Sequence, residues 1–307
     1  MKYGLIGDHL THSFSKGIHE RLADYTYELC PLHEEAFHRF MKEKAFKAIN
    51  VTIPYKIKAM AYLDHVDEKA KQIGAVNTIL KQDGELYGTN TDFDGFRYML
   101  RKHHITVSGK KVLVLGDGGA AQAIKAVLCE EGCAQIICVR RSFSDTTLSY
   151  EEAKSKHGDC TIIVNTTPCG MYPDNEQRPC DLDDFPRCEA YVDIIYNPLL
   201  TRACMQAKER GISYVGGLEM LIAQAKYAVE FFSGKILAEA CINEIYRDMM
   251  QKKHNIVLIG MPSCGKSTIG RLAAKQLDRP FMDLDEEIVK RSGRSIKDII
   301  TGDGEAA

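Results

Sequence analysis

Residues 111–139 confine this chain to few architectures. Lys111-Val112-Leu113-Val114-Leu115 is a short β-branched apolar run, the pattern of a strand covered on both faces. It leads directly into Gly116-Asp117-Gly118-Gly119-Ala120-Ala121, then into helically spaced apolar residues as far as Glu131. Gly132 supplies the stop, and a second strand pattern occupies residues 135–139. Strand, turn, helix and strand within about 30 residues form a crossover unit, which builds parallel sheets with helices on their faces. Strand patterns at 161–165 and 190–195 extend the same sheet.

The remaining chain fits an α/β class. Strand patterns at 2–7, 47–53 and 75–80 alternate with helical spacing at 15–25 and 34–43, predicting a mostly parallel sheet covered by helices. Helical spacing resumes over 218–250 and is expected to return to the first unit, making that domain discontinuous. A charged link at 251–254 precedes a further strand pattern at 256–259. The expected units are therefore 1–100 with 218–250, 101–217, and 251–307.

The loop after the first of these strands has the spacing G-x-G-x-x-A at Gly116, Gly118 and Ala121, the Rossmann dinucleotide fingerprint in its proper setting. The first glycine makes the turn, the second admits a pyrophosphate to the backbone, and the small third residue lets helix and sheet approach. An ordinary glycine turn is the alternative. The next strand ends in Val139-Arg140-Arg141-Ser142, with no acid to accept a ribose 2′-hydroxyl. Guanidinium groups suit a 2′-phosphate, so NADP is favoured over NAD. Asp117 counts mildly against this, since it places negative charge beside a pyrophosphate unless it points to solvent.

Composition excludes other classes. With 27% charged residues and a net charge of -2, the chain has no basic excess for nucleic acid or an anionic membrane. No apolar run approaches the roughly 18 residues of a membrane span, and the N-terminus lacks a signal-peptide pattern. Eleven cysteines are scattered from Cys30 to Cys264 without a C-x-x-C pair, so free thiols in a reducing cytoplasm are expected, with no zinc site. A small-molecule substrate and a monomer or homodimer are the expected partners.

Four polar segments lie at the ends of predicted strands or apolar runs. They are His12-Ser13-Phe14-Ser15, Asn50 to Lys56, Gly74 to Thr78, and Gly88-Thr89-Asn90-Thr91-Asp92. Hydroxyls and amides suit a polyhydroxy acid, and one lysine with one aspartate can manage a proton. Each segment taken singly is also ordinary turn chemistry.

In this order, and with Asn165-Thr166-Thr167-Pro168-Cys169-Gly170-Met171, Asp193 to Pro198 and Gly217 to Gln224, these segments resemble the shikimate dehydrogenase family over residues 1–248. The resemblance implies reversible, NADPH-dependent reduction of 3-dehydroshikimate to shikimate in aromatic amino acid (chorismate) biosynthesis. It implies that Ser13 and Ser15 hold the substrate carboxylate, and that Thr52, Asn77, Asp92, Tyr196 and Gln224 contact the ring. Lys56 and Asp92 would be the catalytic pair. The cofactor would meet Gly116, Gly118, Gly119, Ala120, Arg140, Arg141, Ile194 and Gly217. The chain departs from the family where prolines are usual, at His9 and Lys16, and Lys16 adds charge near the carboxylate site. An NAD-dependent quinate/shikimate dehydrogenase and a non-catalytic shikimate-binding sensor remain as alternatives.

The last segment carries Gly260-Met261-Pro262-Ser263-Cys264-Gly265-Lys266-Ser267-Thr268, a full P-loop pattern with a helix after it. Together with Asp283 and Asp285 it resembles the start of shikimate kinase. That implies Mg-ATP held by Gly260, Gly265, Lys266, Ser267 and Thr268, with Ser267 and Asp283 organising magnesium and Asp285 binding a shikimate hydroxyl. So short a segment is not expected to act as a kinase, because one βαβ unit buries too little apolar surface.

Overall fold

The computed structural model describes residues 1–8, 10, 13–140, 148–253, 256–261 and 263–303. It divides into two units, 1–249 and 250–307. No helix among the described residues is long and apolar enough to cross a membrane, and the eleven cysteines are free.

The first unit opens with β1 (Tyr3–Gly7), α1 (Ser15–Leu22), β2 (Tyr27–Pro31), α2 (Glu34–Glu43) and β3 (Ala48–Val51). There follow β4 (His65–Val66), α3 (Glu68–Ile73), β5 (Thr78–Gln82), β6 (Glu85–Thr89) and α4 (Thr91–Lys102). The sheet order is β2-β1-β3-β5-β6-β4. β1 runs parallel to β2 and β3, and β4 to β6, while β5 is antiparallel to both its neighbours. The strand expected at 75–80 thus begins later, at Thr78. Gly74 closes α3 in the left-handed region at φ 70°, and the next three residues are a buried connection. The pairing Asn50↔Thr78 sets the start of β5 beside the end of β3.

The helix expected over 15–25 stops at Leu22, because the chain turns extended at Ala23. Tyr25 then returns to His19, its hydroxyl 2.9 Å from Nδ1. His19 is wholly buried and stacked on Tyr27 at 4.0 Å, and its Nε2 has no hydrogen-bond partner among the described residues. Burial pulls the imidazole down to about 3 from an ordinary 6.5. Below pH 6.5 the unfolded chain therefore takes a proton that the fold refuses. Stability from this group is present above 6.5 and is lost as pH falls toward 3. We expect urea denaturation to show a loss on the order of 3 kcal/mol between about pH 6.5 and 4.5 that shrinks in His19→Phe. An equal acid loss in the variant would refute this account.

The second sheet comprises β7 (Lys111–Leu115), β8 (Gln135–Val139), β9 (Ile162–Asn165), β10 (Ala190–Asp193) and β11 (Ser213–Val215). It is parallel throughout, in the order β11-β10-β9-β7-β8. Helices α5 (Gly119–Glu130), α6 (Tyr150–His157) and α7 (Arg202–Glu209) connect its strands. The helical region at 218–250 is two helices, α8 (Leu218–Ser233) and α9 (Ala240–Lys253), separated at Gly234 with φ 67°. α8 does return to the first sheet: Ala228 and Phe232 share a core with Ala48 of β3. It also crosses α4 closely, since a Cβ on Gly95 would lie 2.8 Å from the Met220 carbonyl oxygen.

The second unit contains α10 (Lys266–Gln276), α11 (Leu284–Ser292) and α12 (Ile296–Asp303). The strand expected at 256–259 does not form. Among the described residues nothing pairs with it, and Val257 and Ile259 stay 77% and 88% exposed. A lone strand leaves its backbone groups to water and gains no ladder.

Candidate active site

Loops from one end of the first sheet converge. β3 delivers Thr52 to Lys56, β6 delivers Asn90 to Asp92, and the antiparallel start of β5 brings Asn77 to the same end. Thr52 N–H donates to the Ile6 carbonyl at 2.9 Å. The next turn is anchored by Tyr55, which stacks on Phe37 at 4.1 Å and donates to the Leu32 carbonyl at 2.6 Å. Lys56 is fixed at its backbone by Val76 N–H, 2.9 Å from its carbonyl.

From that anchored turn Lys56 Nζ reaches Asp92 Oδ2 at 2.6 Å, with the two side chains 14% and 10% exposed. Asp92 stands in the first turn of α4, whose N-cap Asn90 accepts its backbone N–H at 3.1 Å. A shielded ion pair between loops 36 residues apart has little to recommend it as a stability device. It does place a cation where the polar loops of the first sheet approach the glycine loop.

Beneath the pair runs a buried hydrogen-bond network. Asn77 Oδ1 accepts from Thr91 N at 2.8 Å and from the Thr78 hydroxyl at 2.9 Å, which pins the amide. Asn50 Nδ2 donates to Thr78 Oγ1 at 3.0 Å, and its Oδ1 accepts from the Tyr27 hydroxyl at 2.7 Å. Thr91 Oγ1 donates to Gln224 Oε1 at 3.5 Å, tying in α8, and Gln224 Nε2 donates to the Leu221 carbonyl. Sequence reading did not assign roles to Asn50, Thr78, Thr91 or Tyr55. Their signal was position inside the polar segments, which does not separate a pocket wall from its support.

Ser15, buried at the start of α1, donates its N–H to Ser13 Oγ at 3.2 Å. Lys16 is exposed and reaches along the helix to Glu20 at 3.7 Å. Phe14, between the serines, packs on Tyr196 with ring centroids 5.1 Å apart. Burial raises the Tyr196 phenol above its ordinary range. The loop bearing Tyr196 is held by Asp193, whose carboxylate accepts from Ile195 N, Thr201 Oγ1 and Asn165 Nδ2. Burial pushes Asp193 up to about 6, against the pull of those donors.

The glycine loop opens at the switch point of the second sheet, where β7 and β9 adjoin but the chain leaves in opposite directions. Gly116 has φ 106°, and a Cβ there would lie 2.5 Å from Thr166 Oγ1. Gly118 caps α5 with open space around it, and among the described residues no side chain caps the first-turn N–H groups. Uncapped donors, a helix N-terminus and a glycine floor fit a pyrophosphate. Gly217 N–H donates to the Ile195 carbonyl at 2.8 Å and crowds Ile194. Arg140 is exposed at the end of β8, while Arg141 and Ser142, like His9 and His12, lie outside the described residues. Asp117 does not point free to solvent: Lys125 Nζ holds it at 2.8 Å.

The two groups of residues meet. A Cβ on Gly119, in the first turn of α5, would lie 3.4 Å from Lys56 Cδ, so the lysine stem rests on the glycine loop.

In the second unit, Ser267 Oγ donates to Asp283 Oδ2 at 2.8 Å, bringing the expected magnesium pair together. Lys266 Nζ is bonded to the Gly260 and Met261 carbonyls at 2.7 Å each. Gly265 has φ 86°, and Thr268 and Asp285 lie in α10 and α11.

Comparison with known proteins agrees with this division. A family model for the shikimate dehydrogenase substrate binding domain matches residues 5–79, and one for shikimate kinase matches 262–307. The chain is 38% identical over 247 residues to shikimate dehydrogenase (NADP(+)) of Clostridium beijerinckii, covering 75% of this chain and 91% of that one. Among solved structures, shikimate dehydrogenase 1 of Peptoclostridium difficile superposes with a TM-score of 0.77 at 32% identity, over 83% of this chain and all of that one. The shikimate 5-dehydrogenase of Thermus thermophilus, solved with NADP(H) and shikimate, gives 0.72 at 31% identity, over 81% of this chain and 99% of that one.

Proposed function

This chain belongs to the shikimate dehydrogenase family, and from that membership we propose that it reversibly reduces 3-dehydroshikimate to shikimate with NADPH. The observation that carries the reading is the Lys56–Asp92 pair at 2.6 Å, leaning on the glycine loop. When bound, NADPH supplies the hydride. Negative charge then grows on the carbonyl oxygen, where Lys56 Nζ offers both a cation and a proton. Asp92 Oδ2 keeps that ammonium aimed. Ser13 and Ser15 take the substrate carboxylate, and Thr52, Asn77, Asp92, Tyr196 and Gln224 take the ring and its hydroxyls. Residues 1–100 with 218–250 form the substrate lobe.

Residues 101–217 form the NADP lobe. Gly116, Gly118, Gly119 and Ala120, with Ile194 and Gly217, would hold the cofactor, the glycine loop suiting its pyrophosphate, and Arg140 and Arg141 would supply guanidinium groups for a 2′-phosphate. The absence of an acid directly after β8 supports NADP over NAD. Steady-state assays should show turnover with NADP and shikimate, and at least about tenfold lower kcat/KM with NAD or with quinate. Equal use of NAD would favour the quinate/shikimate alternative. Shikimate binding without turnover would favour a sensor.

For the second unit, the P-loop pattern and the Ser267–Asp283 contact support a seat for Mg-ATP at Gly260, Gly265, Lys266, Ser267 and Thr268. Phosphoryl transfer is not expected. Apolar side chains such as Ile256, Met261 and Met282 remain 59%, 79% and 68% exposed, so the described residues enclose no dry site. ADP release from shikimate and ATP should not exceed the blank, and sustained turnover would overturn this.

A further inference from the structure

Asp117 stands inside the glycine loop, one residue ahead of the N-cap of α5. A carboxylate there threatens a pyrophosphate site twice over. It repels the incoming anion, and it is a tethered anion able to occupy the same first-turn N–H groups. In the fold the carboxylate does not cap α5 and is engaged elsewhere. Asp117 Oδ1 accepts from Lys125 Nζ at 2.8 Å and from Gln122 Nε2 at 3.1 Å, and both donors project from α5 itself. Gln122 also reaches the Asp117 carbonyl at 3.4 Å, and Cys138 Sγ of β8 lies 4.0 Å from the same carboxylate oxygen. The carboxylate is thus drawn along the flank of the helix. The pair is 19% and 26% exposed, shielded enough for the charges to matter.

We propose that Lys125 is a positioning residue for the dinucleotide: it neutralises Asp117 and holds it off the N-terminus of α5, leaving that terminus to the pyrophosphate. Lys125 touches no reacting atom. Its effect runs through Asp117, and the proposal rests on the NADP reading above.

The test is direct titration of the full chain with NADP+, following fluorescence or heat, for Lys125→Met, Lys125→Gln, Asp117→Ala and the Lys125→Met/Asp117→Ala double variant. Each Lys125 variant should raise Kd about tenfold or more, since the freed carboxylate both repels and competes. Asp117→Ala should bind at least as tightly as the unaltered chain. The double variant should return to within about threefold of it, which loss of a direct lysine–cofactor contact would not permit. Shikimate affinity, measured alongside, should not move in any of them. Unchanged Kd in both Lys125 variants, or a double variant as weak as Lys125→Met, overturns the proposal. Failure of the NADP reading itself would show in the unaltered chain, which would then not bind NADP+ at all.

Discussion

Replacing Lys56 by methionine is expected to lower kcat for shikimate oxidation by about 10²–10⁴-fold, with KM for shikimate and NADP changed only a few-fold. Methionine keeps an unbranched apolar stem over Gly119, where the lysine Cβ and Cδ rest within 3.5 Å of a Cβ position. It removes only the ammonium that the developing oxyanion needs. Lys56→Ala should lose as much turnover and, having lost the stem as well, should also raise KM for NADP. Either variant leaves Asp92, 10% exposed at its side chain, without its cation, so some stability is forfeited too. Turnover must therefore be counted per folded molecule. A kcat within about tenfold of the unaltered enzyme would remove Lys56 from the chemistry and leave the pair as a structural tie.

Gly217→Ala should be the more damaging change to the fold, costing about 3 kcal/mol or more. The reason is collision, not dihedral strain, because φ at this residue is an ordinary -75°. A Cβ would lie 2.0 Å from the Ile194 carbonyl oxygen and 2.3 Å from its carbon, and backbone atoms cannot swing aside. Either Ile194 or the start of α8 must move. Both flank the proposed cofactor site, and α8 carries Gln224 on its next turn, so NADP and shikimate affinity should fall together. Gly118→Ala is the contrasting case. Open space surrounds that position, so folding stability should hold within about 1 kcal/mol while NADP binding weakens. If Gly217→Ala melts like the unaltered chain, the crowding at Ile194 is not a constraint in solution.

These outcomes bear on how function was encoded. The glycine loop could be located from sequence because its demands are local. Gly116 needs φ 106°, and KVLVL before it has strand character wherever it is buried. α2 matches its predicted limits, 34–43, for the same reason: helical periodicity is written over a few turns. The polar segments were found as loops with suitable groups, and resemblance to a family supplied their roles. Asn77 came from a stretch misread as the early part of a strand. Only the antiparallel pairing Asn50↔Thr78 carries it to the same sheet end as Thr52.

Other features had no local signature. Asp117 and Lys125 are eight residues apart, a spacing that predicts no contact across a loop and a helix. The apolar run 256–259 has strand composition, yet a strand exists only where a neighbour accepts its hydrogen bonds, and among the described residues none does. Lys56 and Asp92 were named as partners by analogy, and nothing in their own surroundings places them 2.6 Å apart.

Backbone preference and hydrophobic period act over a few residues, so the chain's order alone located helices such as α1, α2, α5 and α8, most of the described strands and the chemistry available at each loop. The helix α4, which carries Asp92, and shorter helices such as α3, α6 and α7 went unread. Sheet order, strand direction and side-chain pairing depend on groups distant in the chain becoming neighbours. Accordingly the meeting of Lys56, Asp92 and Asn77 with Gly119 arises only when the two sheets are assembled, whereas the neutralisation of Asp117 needs only its loop folded against α5.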